Sequence, residues 1–144
     1  MSDRTETIER AVAAYNRHDG AGFASYFAED GVMRVVALGE AAEGREQIQA
    51  ALKAYWRALD YTLELRDLYE CGDDAFLEWT MTGTHVGELI GVPATHLRVE
   101  GLLGCSHFTF GPDGLIAKDL VYFDSATLLR QLGLLPEPEP ARSI

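Results

Sequence analysis

Residues 101–124, GLLGCSHFTFGPDGLIAKDLVYFD, hold two apolar runs on either side of a Gly-Pro-Asp-Gly turn, and that stretch limits the fold most. It reads as a β-hairpin. With residues 111–114 as the loop, Phe110 faces Leu115, Phe108 faces Ala117 and Ser106 faces Asp119. Strand side chains alternate, so one face collects Phe110, Phe108, Ser106, Ala117, Asp119, Val121 and Phe123. The other collects Thr109, His107, Cys105, Ile116, Lys118, Leu120 and Tyr122. Three Phe and a Val mark the first face as the buried one. Asp119 stands in its middle. A carboxylate there must find a partner, keep its proton or meet a wet cavity. A one-residue slip or a bulge would instead turn Asp119 out to solvent.

The rest of the chain supplies helices and further strands. Ile8, Ala11, Val12 and Tyr15 recur at helical spacing and predict a helix over 3–18, ended by Asp19-Gly20. A short helix over 20–28 buries Phe23, Tyr26 and Phe27, and Glu29-Asp30-Gly31 turns into a first strand over 32–38. Residues 39–44 read as a polar loop, and 45–59 as a longer helix burying Ile48, Leu52, Tyr55, Trp56 and Leu59. The large aromatics of that helix are core packing or the wall of a ligand pocket. Tyr15 also points inward, and its hydroxyl needs a partner or a cavity.

After Asp60 the period changes to two. Residues 61–70 form a strand with Leu63 and Leu65 on one side, Cys71-Gly72-Asp73-Asp74 a turn, and 75–85 another strand. In that strand Leu77, Trp79 and Met81 share one face and Glu78, Thr80 and Thr82 the other. If the Glu78 face is interior, a second carboxylate enters the site. Residues 86–96 are a loop, with His85 at its start either reaching a cavity mouth or bonding local backbone. Asp124-Ser125 caps a last helix over 126–132, closed by Gly133. One domain over 1–136 and a Pro/Glu-rich tail over 137–144 follow. Helices first and hairpin strands after predict an α+β fold, a curved antiparallel sheet wrapped around the N-terminal helices with a small-molecule pocket between.

Composition narrows the partners. The chain has 144 residues and a net charge of −11, a surface that repels phosphate backbones and excludes nucleic acid. No apolar run reaches membrane-spanning length and MSDRTETIER is polar, so a cytoplasmic protein without membrane contact is expected. Cys71 and Cys105 have no motif spacing and read as two buried thiols in a reducing compartment. His18, His85, His96 and His107 show no ligand spacing, so no metal is expected.

The stretches AYNRHDGAGFASYFAEDGV, GREQI, EWTMTGTHVGELIGVPAT and DGLIAKDLVYFDSATLLRQLGLLP resemble the SnoaL-like polyketide (ester) cyclase branch of the nuclear transport factor 2-like superfamily, over nearly the whole chain to about Pro136. The resemblance implies a cone-shaped sheet with three helices, a homodimer or tetramer, and an aspartate on a late strand as acid/base of an aldol closure, without metal or cofactor. Asp119 is the matching position. Ketosteroid isomerase relatives need a tyrosine and two acids where this chain has Ala11, Val35 and Ser106, so that route is missing. Epoxide hydrolase relatives use an Asp-Arg-Asp group, for which Arg34, Arg66 and Arg98 are the available cations.

The expected activity is cofactor-independent acid/base cyclisation or isomerisation of a polyketide-like or other apolar cyclic substrate, with Asp119 exchanging the proton. His85 and His107 are further catalytic candidates. Tyr15 and Ser106 would donate to a developing enolate oxygen. Trp56, Trp79, Phe108, Phe110, Val121 and Phe123, with Glu78 if its face turns inward, would wall the pocket. Epoxide or ester hydrolysis in the same pocket and non-catalytic ligand binding are the alternatives.

Overall fold

A computed structural model describes residues 2–139. Four helices, α1 (Asp3–Asn16), α2 (Gly20–Ala24), α3 (Arg45–Ala58) and α4 (Ser125–Gln131), accompany six strands. The strands are β1 (Phe27–Val35), β2 (Glu40–Glu43), β3 (Leu59–Cys71), β4 (Asp74–His85), β5 (Arg98–Phe110) and β6 (Ile116–Phe123). They form one sheet in the order β2-β1-β6-β5-β4-β3. The class is α+β, as the sequence indicates, but the sheet is mixed: β1 runs parallel to β6. The fully antiparallel sheet expected from the hairpin pattern is thereby corrected. Two strands more than eighty residues apart in sequence can pair in either sense, and only neighbours joined by tight turns must be antiparallel.

Three of the four helices start on a polar side-chain cap, and α3 starts on Gly44. Ser2 accepts from the Thr5 N–H at 3.1 Å, Asp19 from Gly22 at 2.9 Å and Asp124 from Thr127 at 3.2 Å. These bonds satisfy N–H groups that have no intrahelical partner. The apolar stripes of α1 (Ile8, Val12) and α3 (Ile48, Leu52) are buried against the inner face of the sheet.

Three local expectations change. The first strand begins at Phe27 rather than residue 32, because Glu29-Asp30-Gly31 is absorbed as an irregularity within it: Phe27 pairs with Ile116 and Val32 already with Lys118. Residues 36–38 are a 3-10 turn, and the polar stretch over 39–44, expected as a loop, contains β2, paired antiparallel to β1. The helix expected over 20–28 ends at Ala24, and Phe27 is buried as the first residue of β1. The tail expected over 137–144 lies outside the described residues from position 140 onward.

In the hairpin the register is two residues longer than the shortest loop would give. Asp119 faces Phe108, and Ser106 faces Val121. A bulge between Thr109 and Phe110 then sets Phe110 against Ile116 and leaves Ala117 unpaired. Ile116 is buried and Ala117 exposed, the reverse of the simple alternation. A shift of two preserves face parity, so Asp119 stays inside and is 2% exposed. No helix among the described residues is long and apolar enough to cross a membrane.

Candidate functional site

Between the inner face of the sheet and the helices lies a cavity of about 110 Å³. Its walls are carbon: Phe108 and Leu102 from β5, Trp79 and Met81 from β4, Met33 from β1 and Phe23 from α2, among others. Into it reach the Asp119 carboxyl, the Ser106 hydroxyl and three tyrosines, Tyr15, Tyr55 and Tyr61. Among the described residues, Asp119 is the one carboxylic acid on the wall.

The strand register builds the acid's surroundings. Asp119 is flanked across the sheet by Phe108 on one side and Met33 on the other. Neither side chain hydrogen-bonds to its Oδ1. Oδ1 is buried with no hydrogen-bond partner among the described residues. Loss of hydration penalises the charged form and pushes the Asp119 pKa up to about 8. At neutral pH this carboxyl is therefore mostly a proton-carrying acid, within reach of becoming a base.

Two of the hydroxyls are paired. Tyr15 on α1 and Tyr61 on β3 hydrogen-bond to each other. Burial holds the Tyr15 hydroxyl well above its usual range, with the Tyr61 and Asp119 charges adding to the shift. Burial likewise raises Tyr61 to about 12. Both remain protonated donors at any physiological pH. Two hydroxyls sharing one hydrogen bond leave one O–H free for a ligand. Tyr55 instead donates to Glu40 Oε2 at 2.9 Å, tying α3 to β2.

The Trp79 indole is fixed over the floor of the cavity by its Nε1–H, which donates to Ser106 Oγ at 3.0 Å. Replacing Ser106 by Ala is expected to leave that buried N–H without an acceptor and to cost about 1–3 kcal/mol. Urea unfolding measures this, and a variant as stable as the wild type would show that the bond has no such value.

The cavity brings together Asp119, Tyr15, Trp79, Ser106, Phe108, Val121 and Phe123 from the residues singled out in the sequence. Five others stand elsewhere. Glu78 lies on the outer face of β4, 4.0 Å from Arg66, because Leu77, Trp79 and Met81 take the inner face. His107 is on the outer face of β5, opposite Leu120 rather than Lys118. Its Nε2 lies 3.0 Å from Asp74 Oδ1 and its ring stacks on Phe76 at 4.4 Å. His85 is on the inner face and fully buried, but at the base of the 86–96 loop, where Nδ1 accepts from the Thr95 N–H at 3.1 Å. Trp56 stacks on His18 at 4.7 Å, behind Tyr15. Phe110 faces inward at the far end of β5, with the Arg4 guanidinium 5.5 Å above its ring. Arg34, Arg66 and Arg98 are all exposed, and none lines the cavity.

Sequence reasoning missed Tyr61. It shares the parity of Leu63 and is 5% exposed, so the alternation of β3 carried the signal. Nothing in that alternation pointed to the partner hydroxyl on α1.

The SnoaL-like domain model matches residues 8–118. No curated protein matches the chain. Among solved structures, AclR of Streptomyces galilaeus, a candidate hydroxylase, superposes with a TM-score of 0.80 at 27% identity, covering 95% of this chain and 89% of that one. TsrD of Streptomyces laurentii gives 0.80 at 29% identity, covering 92% and 96%. A candidate SnoaL-like polyketide cyclase from Jannaschia sp. CCS1 gives 0.78 at 19% identity, covering 93% and 94%. The fold is NTF2-like, and with the family model spanning most of its length, this chain belongs to the SnoaL-like domain family.

Proposed function

We propose that this protein is a small-molecule acid/base enzyme that cyclises or isomerises a polyketide-like or other apolar cyclic substrate, with Asp119 as the proton acceptor and donor. One observation carries the reading: a carboxyl that is 2% exposed, unpartnered at Oδ1, and raised to about 8 on the wall of a carbon-lined cavity. A structural acid would be paired or solvated. An acid tuned toward neutrality is what proton transfer to and from carbon needs near pH 7. The family and the named polyketide cyclase among the structural neighbours support the same class.

In this reading a substrate carbonyl takes its hydrogen bonds from the Tyr15–Tyr61 pair or Ser106. The adjacent C–H faces Asp119, whose carboxylate removes the proton and returns it after bond formation or migration. The donors stabilise the enolate oxygen that develops between the two steps. Only a proton moves between protein and substrate, so the scheme calls for no cofactor. Hydrolysis is less well supported, because among the described residues the wall offers Asp119 no second carboxylate and no guanidinium.

The test is hydrogen exchange. Acetyl arenes incubated in D₂O are expected to acquire deuterium next to the carbonyl with wild-type protein, and the rate should rise with pH through about 8 as Asp119 ionises. Asp119→Asn should lose the exchange. Binding of these ketones with no exchange above background would instead favour the reading as a ligand-binding protein, which the lone acid of the cavity also fits.

A further inference from the structure

The turn at the edge of the cavity carries a residue that its backbone disfavours. Leu89 and Val92 exchange both of their backbone hydrogen bonds, each at 2.9 Å, so residues 89–92 form a two-residue hairpin turn. Its central pair, Ile90 and Gly91, have φ of 51° and 75°. Positive φ at both centres is the type I′ pattern, for which Asn-Gly is the preferred pair. Gly91 fits. A β-branched side chain at such an angle is a steric outlier.

Burial does not explain the choice. Ile90 is 66% exposed, the highest value among the exposed large hydrophobics of the described residues. Yet Leu89 and Ile90 both line the cavity. The base of the loop is also tied down. Val86 and Gly87 both donate to the Ala58 carbonyl, at 2.9 and 3.0 Å, and His85 and His96 bond across the base at 3.0 Å. Thr95 adds its N–H and hydroxyl to His85 Nδ1. The position of the tip is thus set from below, and not by the packing of Ile90 itself.

We propose that Ile90 is a specificity-determining residue, the side chain that closes over the outer end of an apolar ligand in the cavity. This rests on the cavity being a small-molecule site, and it is independent of any chemistry at Asp119. In the free protein the Ile90 carbons face water. A ligand long enough to reach the mouth would bury them, and only an apolar side chain gains from that contact.

Binding of acetophenone, 2-acetylnaphthalene and 2-acetylanthracene to wild type, Ile90→Asn and Ile90→Leu tests the proposal. Asn suits the turn, so Ile90→Asn should melt at a higher temperature than wild type. It should also bind 2-acetylanthracene about tenfold more weakly, the scale of one largely buried aliphatic side chain. The loss should shrink along the series and be smallest for acetophenone, the shortest of the three. Ile90→Leu should keep wild-type affinity. An affinity within twofold of wild type for all three ligands would overturn the inference, as would an equal loss for all three, or a loss accompanied by a lower melting temperature. Wild-type protein that binds none of them would overturn both this inference and the reading of the cavity. If deuterium exchange fails but the graded loss appears, only the proposed chemistry falls.

Discussion

Asp119→Asn is expected to abolish turnover and, at the same time, to make the protein more stable above neutral pH. The catalytic loss should be on the order of a hundred- to ten-thousand-fold, the usual value of a positioned general acid/base. The stability gain follows from linkage. The carboxyl pKa is about 8 in the folded chain against 3.8 for the free group, so the native state holds its proton more tightly than the unfolded state does. Stability is therefore lost as pH rises from about 4 through 8, and is unaffected by this group below both values. At 1.36 kcal/mol per unit, the burden at pH 7 is on the order of 4 kcal/mol. Asn carries no charge at any pH and removes this dependence, although its amide still gives up hydration, at about 1–3 kcal/mol. Urea unfolding from pH 4.5 to 9 should show the wild type weakening relative to the variant across that range. Parallel stability curves would mean that Asp119 is not buried as an isolated acid, and undiminished turnover would remove the mechanism.

That Asp119 faces inward was legible because strand geometry forgives an error of two. The shortest loop puts Ser106 opposite it and the structure puts Phe108 there, yet both registers keep the same parity. The Ile116–Ala117 exchange was not legible, since a bulge leaves no mark in the hydrophobic pattern. Nor was β2: Glu-Ala-Ala-Glu has no β-branched or aromatic residue, and its pairing with β1 is decided by tertiary packing. On α3 the aromatic stripe was real but one position too wide. Leu52 and Tyr55, three residues apart, reach the cavity, whereas Trp56 is turned a further 100° and meets His18. For β4 the sequence offered two faces of similar promise. The bulkier one, with Leu77, Trp79 and Met81, went inside and took Glu78 out of the site.

A methyl group added at Gly104 should collapse the site from within. Trp79 and Gly104 are cross-strand partners on β4 and β5, and the indole lies flat over the glycine. A Cβ at position 104 would stand 2.2 Å from Trp79 Cη2 and 2.4 Å from Cζ2, well inside contact distance. The backbone of β5 is held by strands on both sides and yields little, so the ring must move. Trp79 is 4% exposed, and the open volume next to it is the cavity. Its displacement would break the 3.0 Å bond to Ser106 and fill the space a ligand needs. Overpacking of this kind costs about 1–3 kcal/mol, and the lost buried hydrogen bond adds about as much again. Gly104→Ala is therefore expected to lower stability by roughly 2–6 kcal/mol and to lose ketone binding altogether. Trp79→Phe removes the outer ring atoms that collide, so the double variant should recover part of the stability that Gly104→Ala loses. The coupling between the two changes would then be favourable and measurable by a double-mutant cycle. Additive losses, with the double variant less stable than either single one, would show that the indole does not depend on a bare backbone at position 104.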